Sequence, residues 1–130
     1  SAIQTIELGS TAGFMHGFID MVFEAAGRYY LVDYKSNFLG KNQDDYRPDL
    51  LKEVMEREHY VLQYLIYTVA LHRYLKHRIP DYHYEEHFGG VYYLFLRGMD
   101  PALDNQCGVY FDRPGQALIG PLERLLGSAI

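Results

Sequence analysis

The strongest constraint on how this chain folds is the stretch from Phe14 to Lys35, two runs rich in Phe, Ile, Val, Tyr and Leu with only Ala25-Ala26-Gly27 between them. The runs Phe14 to Glu24 and Arg28 to Lys35 read as adjacent antiparallel strands, because Gly27 is free to take the positive φ of a tight hairpin turn. With a two-residue loop at Ala26-Gly27, Ala25 faces Arg28, and counting back along both strands sets Asp20 opposite Asp33. A four-residue loop of Ala25 to Arg28 keeps the same pairing. Cross-strand partners share a face, so the two carboxylates converge, and Lys35, two residues beyond Asp33, joins them. One more residue in the loop would turn Asp33 to the opposite face. The predicted site therefore depends on register.

Two like charges facing each other on an apolar hairpin destabilise it unless something neutralises them. A divalent cation does so. Mg²⁺ takes oxygen ligands and commonly uses one or two carboxylates, leaving its other positions to water and a substrate phosphate. Such an ion would polarise a phosphoryl group and lower the pKa of a water, while Lys35 positions that water or offsets transition-state charge. The competing reading is a structural aspartate satisfied by Lys35 or a neighbouring cation. An acidic residue two before a lysine arises by chance about once in a chain of this length. The setting of Asp33 carries more weight than the motif, because it interrupts the apolar run Tyr29-Tyr30-Leu31-Val32 of a central strand, where an unpaired carboxylate is costly.

A chain of 130 residues, 48% hydrophobic, has material for one core, so residues 1–130 are expected to form a single domain. The single cysteine, Cys107, excludes an internal disulfide and fits a reducing compartment. No stretch approaches the roughly 20 apolar residues of a membrane span, and no signal-peptide pattern opens the chain. A cytoplasmic location and no membrane partner are the expectations. The net charge of −5 argues against an autonomous nucleic-acid binder but not against a catalytic domain that receives its strand from elsewhere. Thirteen tyrosines support base stacking only weakly, because Tyr packs readily at core edges. Lys41, Arg47, Lys52 and Arg57 are interleaved with six acidic residues and read as a solvated mixed-charge face.

Beyond the hairpin, Ser36 to Arg47 is a polar loop, and Pro48-Asp49 suits a first helical turn. Residues 49–78 carry helical character, with Val61, Leu62, Leu65, Ile66, Val69, Ala70 and Leu75 as the stripe that packs the second half against a sheet. Gln63 and Tyr67 lie one turn apart, with His59 a turn earlier. Residues 79–88 read as a polar loop whose histidines lack the spacing of a zinc site. Gly90 to Leu96 predicts a buried strand, Gly108 to Phe111 an edge strand, and Pro114 to Leu126 a helix that Pro121 interrupts or restarts. There is no internal repeat.

Gly17-Phe18-Ile19-Asp20, Asp33-Tyr34-Lys35 and Gln63-Tyr64-Leu65-Ile66-Tyr67 together resemble the GxxD, DxK and QxxxY motifs of the RecB-type nucleases in the PD-(D/E)xK superfamily. The wording of Gly17 to Asn37 and Gly89 to Gly98 extends the resemblance over nearly the whole chain. It implies an α/β, restriction-endonuclease-like core, a central mixed sheet flanked by helices, here without the usual first helix. It also implies a Mg²⁺-dependent deoxyribonuclease domain of a RecBCD-type helicase-nuclease, acting in double-strand-break repair and recombination, with Mn²⁺ or Ca²⁺ able to substitute in binding. Asp20 and Asp33 would be metal ligands, with the Tyr34 backbone carbonyl a third. Asp33 and Lys35 would be catalytic, and Gln63 and Tyr67 would support the site or touch DNA, while Tyr64 between them reads as core. Partners implied through the parent enzyme, which also carries the ATP-dependent helicase, are DNA, RecC- and RecD-like subunits and RecA.

The family also draws a histidine and a glutamate from a helix upstream of GxxD, whereas only Glu7 precedes His16 here, and His16 reads as a neighbour of the site rather than a ligand. The expectation is an N-terminally truncated fragment of a longer protein, one sheet face without its cover, and weak or absent cleavage. The alternative is a catalytically inactive nuclease-fold module that docks protein partners or guides DNA. An unrelated α/β phosphotransfer domain lacks its Gly-rich phosphate loop.

Overall fold

The computed structural model describes residues 3–8, 17–103 and 105–127. Five strands form one open sheet in sequence order: β1 (Ile3–Leu8), β2 (Gly17–Ala25), β3 (Arg28–Lys35), β4 (Phe88–Phe95) and β5 (Val109–Asp112). β1, β2 and β3 run antiparallel, β3 and β4 parallel, and β4 and β5 antiparallel. The parallel step needs a long crossover, supplied by α1 (Pro48–Arg57), α2 (Tyr60–Arg78) and the short α3 (Tyr84–His87). Helix α4 (Gln116–Leu126) follows β5. This is the expected α/β arrangement, a central mixed sheet flanked by helices, consistent with a restriction-endonuclease-like core. Among the described residues no helix is long and apolar enough to cross a membrane.

The hairpin takes the two-residue loop. Ala25 pairs with Arg28, and Ala26 and Gly27 have φ of 51° and 80°, the two positive values of a type I′ turn. Pairing continues to Met21 opposite Val32, and the next step in that register is Asp20 opposite Asp33. The strand expected from Phe14 begins, among the described residues, at Gly17; Phe14 to His16 lie outside them. β1 was not legible in the sequence.

The helical character expected over residues 49–78 is present as two helices with a break between them. His59 takes φ 61°, a left-handed conformation that ends one helix and starts another at Tyr60. The inward stripe of α2 differs from the expected one. Leu62 is 56% exposed, while Tyr64, Thr68, Val69, Leu71, His72 and Leu75 are buried. Tyr64 is core, as expected, and His72 joins it; both find partners there for their polar atoms. The Tyr64 hydroxyl donates to Asp112 Oδ2 at 2.6 Å, and His72 lies 2.8 Å from the Tyr82 hydroxyl and 3.2 Å from Glu123. Residues 79–88 are not simply a polar loop: Tyr84 and Phe88 are buried and stacked, and Tyr84 donates to the Pro114 carbonyl at 2.5 Å. Helix α4 runs through Pro121 as one helix. The Arg47–Asp49 and Arg57–Glu58 pairs fit the expected solvated mixed-charge face.

Alternation along the strands divides the sheet. Asp33, Lys35, Tyr93, Phe95 and Tyr110 lie under α2, which reaches them through Tyr60, Gln63 and Tyr64. Tyr30, Tyr92 and Phe111 point to the opposite face, where they join Phe23 in a row of aromatic contacts.

Candidate active site

Each predicted site residue is positioned by the end of the hairpin or by the first turns of α2. Asp33 sits on β3 with a parallel neighbour at Tyr93, and it is only 6% exposed. Its carboxylate lies 3.0 Å from the Lys35 ammonium. Asp20, on β2, is more open to solvent, and its Oδ2 accepts the Tyr34 backbone N–H at 3.1 Å. Burial pushes the Asp33 carboxyl up; the Lys35 ammonium pulls it back, and the neighbouring Asp20 carboxylate adds to the rise. The net direction is upward. Burial therefore outweighs the lysine at Asp33.

Lys35 connects the carboxylates to the helix. Its ammonium is 3.4 Å from Gln63 Oε1, and the Gln63 side-chain amide donates to the Tyr67 hydroxyl at 3.2 Å. Burial, followed by the negative charge of Asp33, pushes the Tyr67 hydroxyl pKa up. Asp20, Asp33, Lys35, Gln63 and Tyr67 are thus brought into one polar cluster between β2, β3 and α2. The Tyr34 side chain points away, its hydroxyl 3.7 Å from Met21 Sδ, as strand alternation requires. Only the Tyr34 backbone lies at the site.

Sequence reasoning missed two tyrosines. Tyr93 is 1% exposed and donates to Gln63 Oε1 at 2.5 Å, so Gln63 accepts from both a tyrosine and a lysine. Burial and the Asp33 charge push its hydroxyl pKa up strongly. The Tyr60 ring lies 4.2 Å from the Lys35 ammonium, and the Tyr93 ring 5.3 Å. Tyr60 precedes Gln63 by three residues, so helical spacing could have found it, but His59 stood on that turn instead. His59 is exposed at the helix break. Nothing in the sequence aligns Tyr93 with Asp33, because that pairing comes from the parallel β3–β4 register.

Among the described residues no group of three His, Cys, Asp or Glu side chains gathers as a metal cage. The two converging carboxylates are the available donor set. That set fits a hard divalent cation such as Mg²⁺, which accepts one or two carboxylates and fills its octahedron with water and phosphate oxygen. It does not fit structural zinc, which takes four protein ligands.

No protein-family model matches the chain. It is 50% identical over 120 residues to the RecBCD enzyme subunit RecB of Escherichia coli (strain K12), a match covering 92% of this chain and 10% of that protein. RecB of Haemophilus influenzae is 51% identical over 120 residues with the same coverage, and RecB of Mycobacterium tuberculosis is 43% identical, covering 88% of the chain and 11% of that protein. The chain spans about a tenth of the length of these relatives.

Proposed function

Because this chain is homologous over nine-tenths of its length to a segment of RecB, we propose that it is the metal-dependent deoxyribonuclease module of a RecBCD-type helicase-nuclease. Its reaction is hydrolysis of DNA phosphodiester bonds in double-strand-break repair and recombination. The observation that carries this reading is the convergence of Asp20, buried Asp33 and Lys35 on one sheet face. DNA is the substrate; RecC- and RecD-like subunits and RecA are partners reached through the longer protein.

Asp20 and Asp33 would hold Mg²⁺, with the Tyr34 carbonyl beside them. The ion, when bound, supplies Lewis-acid polarisation of the phosphoryl group and makes a nearby water a better nucleophile. This chain's own groups do the rest. The Lys35 ammonium, held 3.0 Å from Asp33, would face the scissile phosphate and offset charge developing on its oxygens. Gln63 keeps the ammonium on the reacting side of the sheet, and Tyr67 orients Gln63. A second reading, an inactive nuclease-fold module that docks partners or guides DNA, draws on the Lys35–Asp33 pair, which closes on itself at 3.0 Å.

Calorimetric titration with Mg²⁺ and Mn²⁺, run beside cleavage of end-labelled single-stranded DNA, separates the two. The expected result is saturable metal binding that Asp33→Asn abolishes, and metal-dependent cleavage lost in Asp33→Ala and Lys35→Ala. Absence of binding at millimolar metal would leave the docking module standing. Cleavage that survives Asp33→Ala would overturn the site.

A further inference from the structure

We infer that Tyr60 is a positioning residue for Lys35: its ring face, delivered by the α1–α2 break and locked by Asn37, holds the lysine ammonium beside the carboxylates. The inference rests on the nuclease reading for its catalytic consequence, but its geometry stands without it.

Lysine is a poor choice for a fixed charge, because its four-carbon stem carries considerable rotamer entropy. Here the stem is confined. Of the three ammonium N–H groups, one faces Asp33 Oδ1 at 3.0 Å and one Gln63 Oε1 at 3.4 Å. The remaining side meets the Tyr60 ring at 4.2 Å from its centroid, within cation–π range. The ring is held in turn at its other end. The Tyr60 hydroxyl lies 3.2 Å from Asn37 Nδ2 and 3.3 Å from Asn37 Oδ1, and Asn37 follows Lys35 by two residues. Lys35, Ser36, Asn37 and Tyr60 therefore form a closed circuit that clamps the exit of β3 to the start of α2.

The helix break explains why Tyr60 stands there. As the first residue of α2, it leans over the sheet only because the left-handed backbone at His59 redirects the chain after α1. Tyr93 and Phe95 support the ring from below, with centroids 5.7 and 6.4 Å away. The chemistry of a π face also matters. A carboxylate or amide in this place would take the third N–H in a directional hydrogen bond and pin the ammonium. The ring attracts the charge without fixing its orientation, so the ammonium can turn from Asp33 toward a phosphate oxygen while remaining on the ring.

The test uses the full chain without metal. In proton NMR the Lys35 ε-methylene signals, identified by their loss in Lys35→Arg, are expected upfield of those of Lys41, Lys52 and Lys76 through the ring current of Tyr60. Tyr60→Leu should move them most of the way back to the ordinary position, leaving only the smaller shift from the Tyr93 ring at 5.3 Å, and Tyr60→Phe, which keeps the ring, should hold them upfield. In metal-supported cleavage Tyr60→Leu should lower kcat roughly five- to thirty-fold with KM unchanged, the fold-change that loss of a cation–π contact implies, and Tyr60→Phe should recover most of it. Lys35 signals that stay as far upfield in folded Tyr60→Leu as in the unmutated chain, or move back equally in Tyr60→Phe, would overturn the assignment, as would a loss confined to KM. If the unmutated chain neither binds metal nor cleaves DNA, the nuclease reading fails, and the NMR comparison alone decides the role of Tyr60.

Discussion

Replacing Gln63 by leucine removes a side chain that touches Lys35, Tyr67 and Tyr93 together, at nearly constant volume. The largest consequence falls on Tyr93. Its hydroxyl donates to Gln63 Oε1 at 2.5 Å from a position 1% exposed, so the substitution leaves a buried donor without that acceptor. Stranding such a group costs about 1–3 kcal/mol. The Lys35 contact, long at 3.4 Å, adds about 0.5 kcal/mol. Tyr67 is half-buried and can turn to water, and the added leucine methyls offset part of the loss. The net expectation is a destabilisation of about 2 kcal/mol, seen as a fall of about 1 M in the urea midpoint by far-ultraviolet circular dichroism. Tyr93→Phe alone should cost about 1 kcal/mol, because Gln63 keeps Lys35 as a donor. In the double variant both polar partners are gone, so the cost should fall short of the sum by about 1 kcal/mol. Strict additivity would mean that the Tyr93 hydroxyl is not paired with Gln63, and the account of how Gln63 is held would be wrong.

Three further outcomes follow from the packing of α2. His72 is buried against Glu123, Lys76, Arg73 and Tyr82, and burial pushes its imidazole below the ordinary 6.5 despite the attraction of Glu123. The unfolded chain therefore takes up that proton first, so the stability His72 contributes is fully present above 6.5 and is lost as pH falls through that value toward the depressed folded one. His72→Gln should flatten urea stability between about pH 7.5 and pH 5.5, and an equally steep loss in the variant would refute this assignment. Glu123 acts in a lower window. Burial raises its carboxyl, but the Lys76 hydrogen bond and the His72 charge outweigh it, so its contribution is present above 4.5 and lost below. Tyr64→Phe removes a 2.6 Å hydrogen bond to Asp112 and should cost about 1.5–3 kcal/mol in the same urea assay, the range for a bond to a charged acceptor; a loss indistinguishable from zero would show that water replaces it.

The sequence by itself determined the hairpin, its register and hence the meeting of Asp20, Asp33 and Lys35. It could do so because a two-residue turn and period-two alternation are local rules that act within a few residues. It also marked Gln63 and Tyr67 as neighbours, since helical spacing is local too. What only the tertiary structure decided was the surrounding of the lysine. Tyr93 reaches the site through parallel pairing with a strand more than fifty residues away, a register set by how the crossover packs rather than by any turn. Tyr60 reaches it through a break at His59 that interrupts an otherwise helical pattern. The apolar stripe misled for a related reason: Leu62 is exposed, and His72 turns inward because Tyr82 and Glu123 await it, partners that hydropathy along one helix does not show. Local periodicity fixes which residues share a face; only the folded chain brings in what that face will touch, because polar burial is decided by partners distant in sequence.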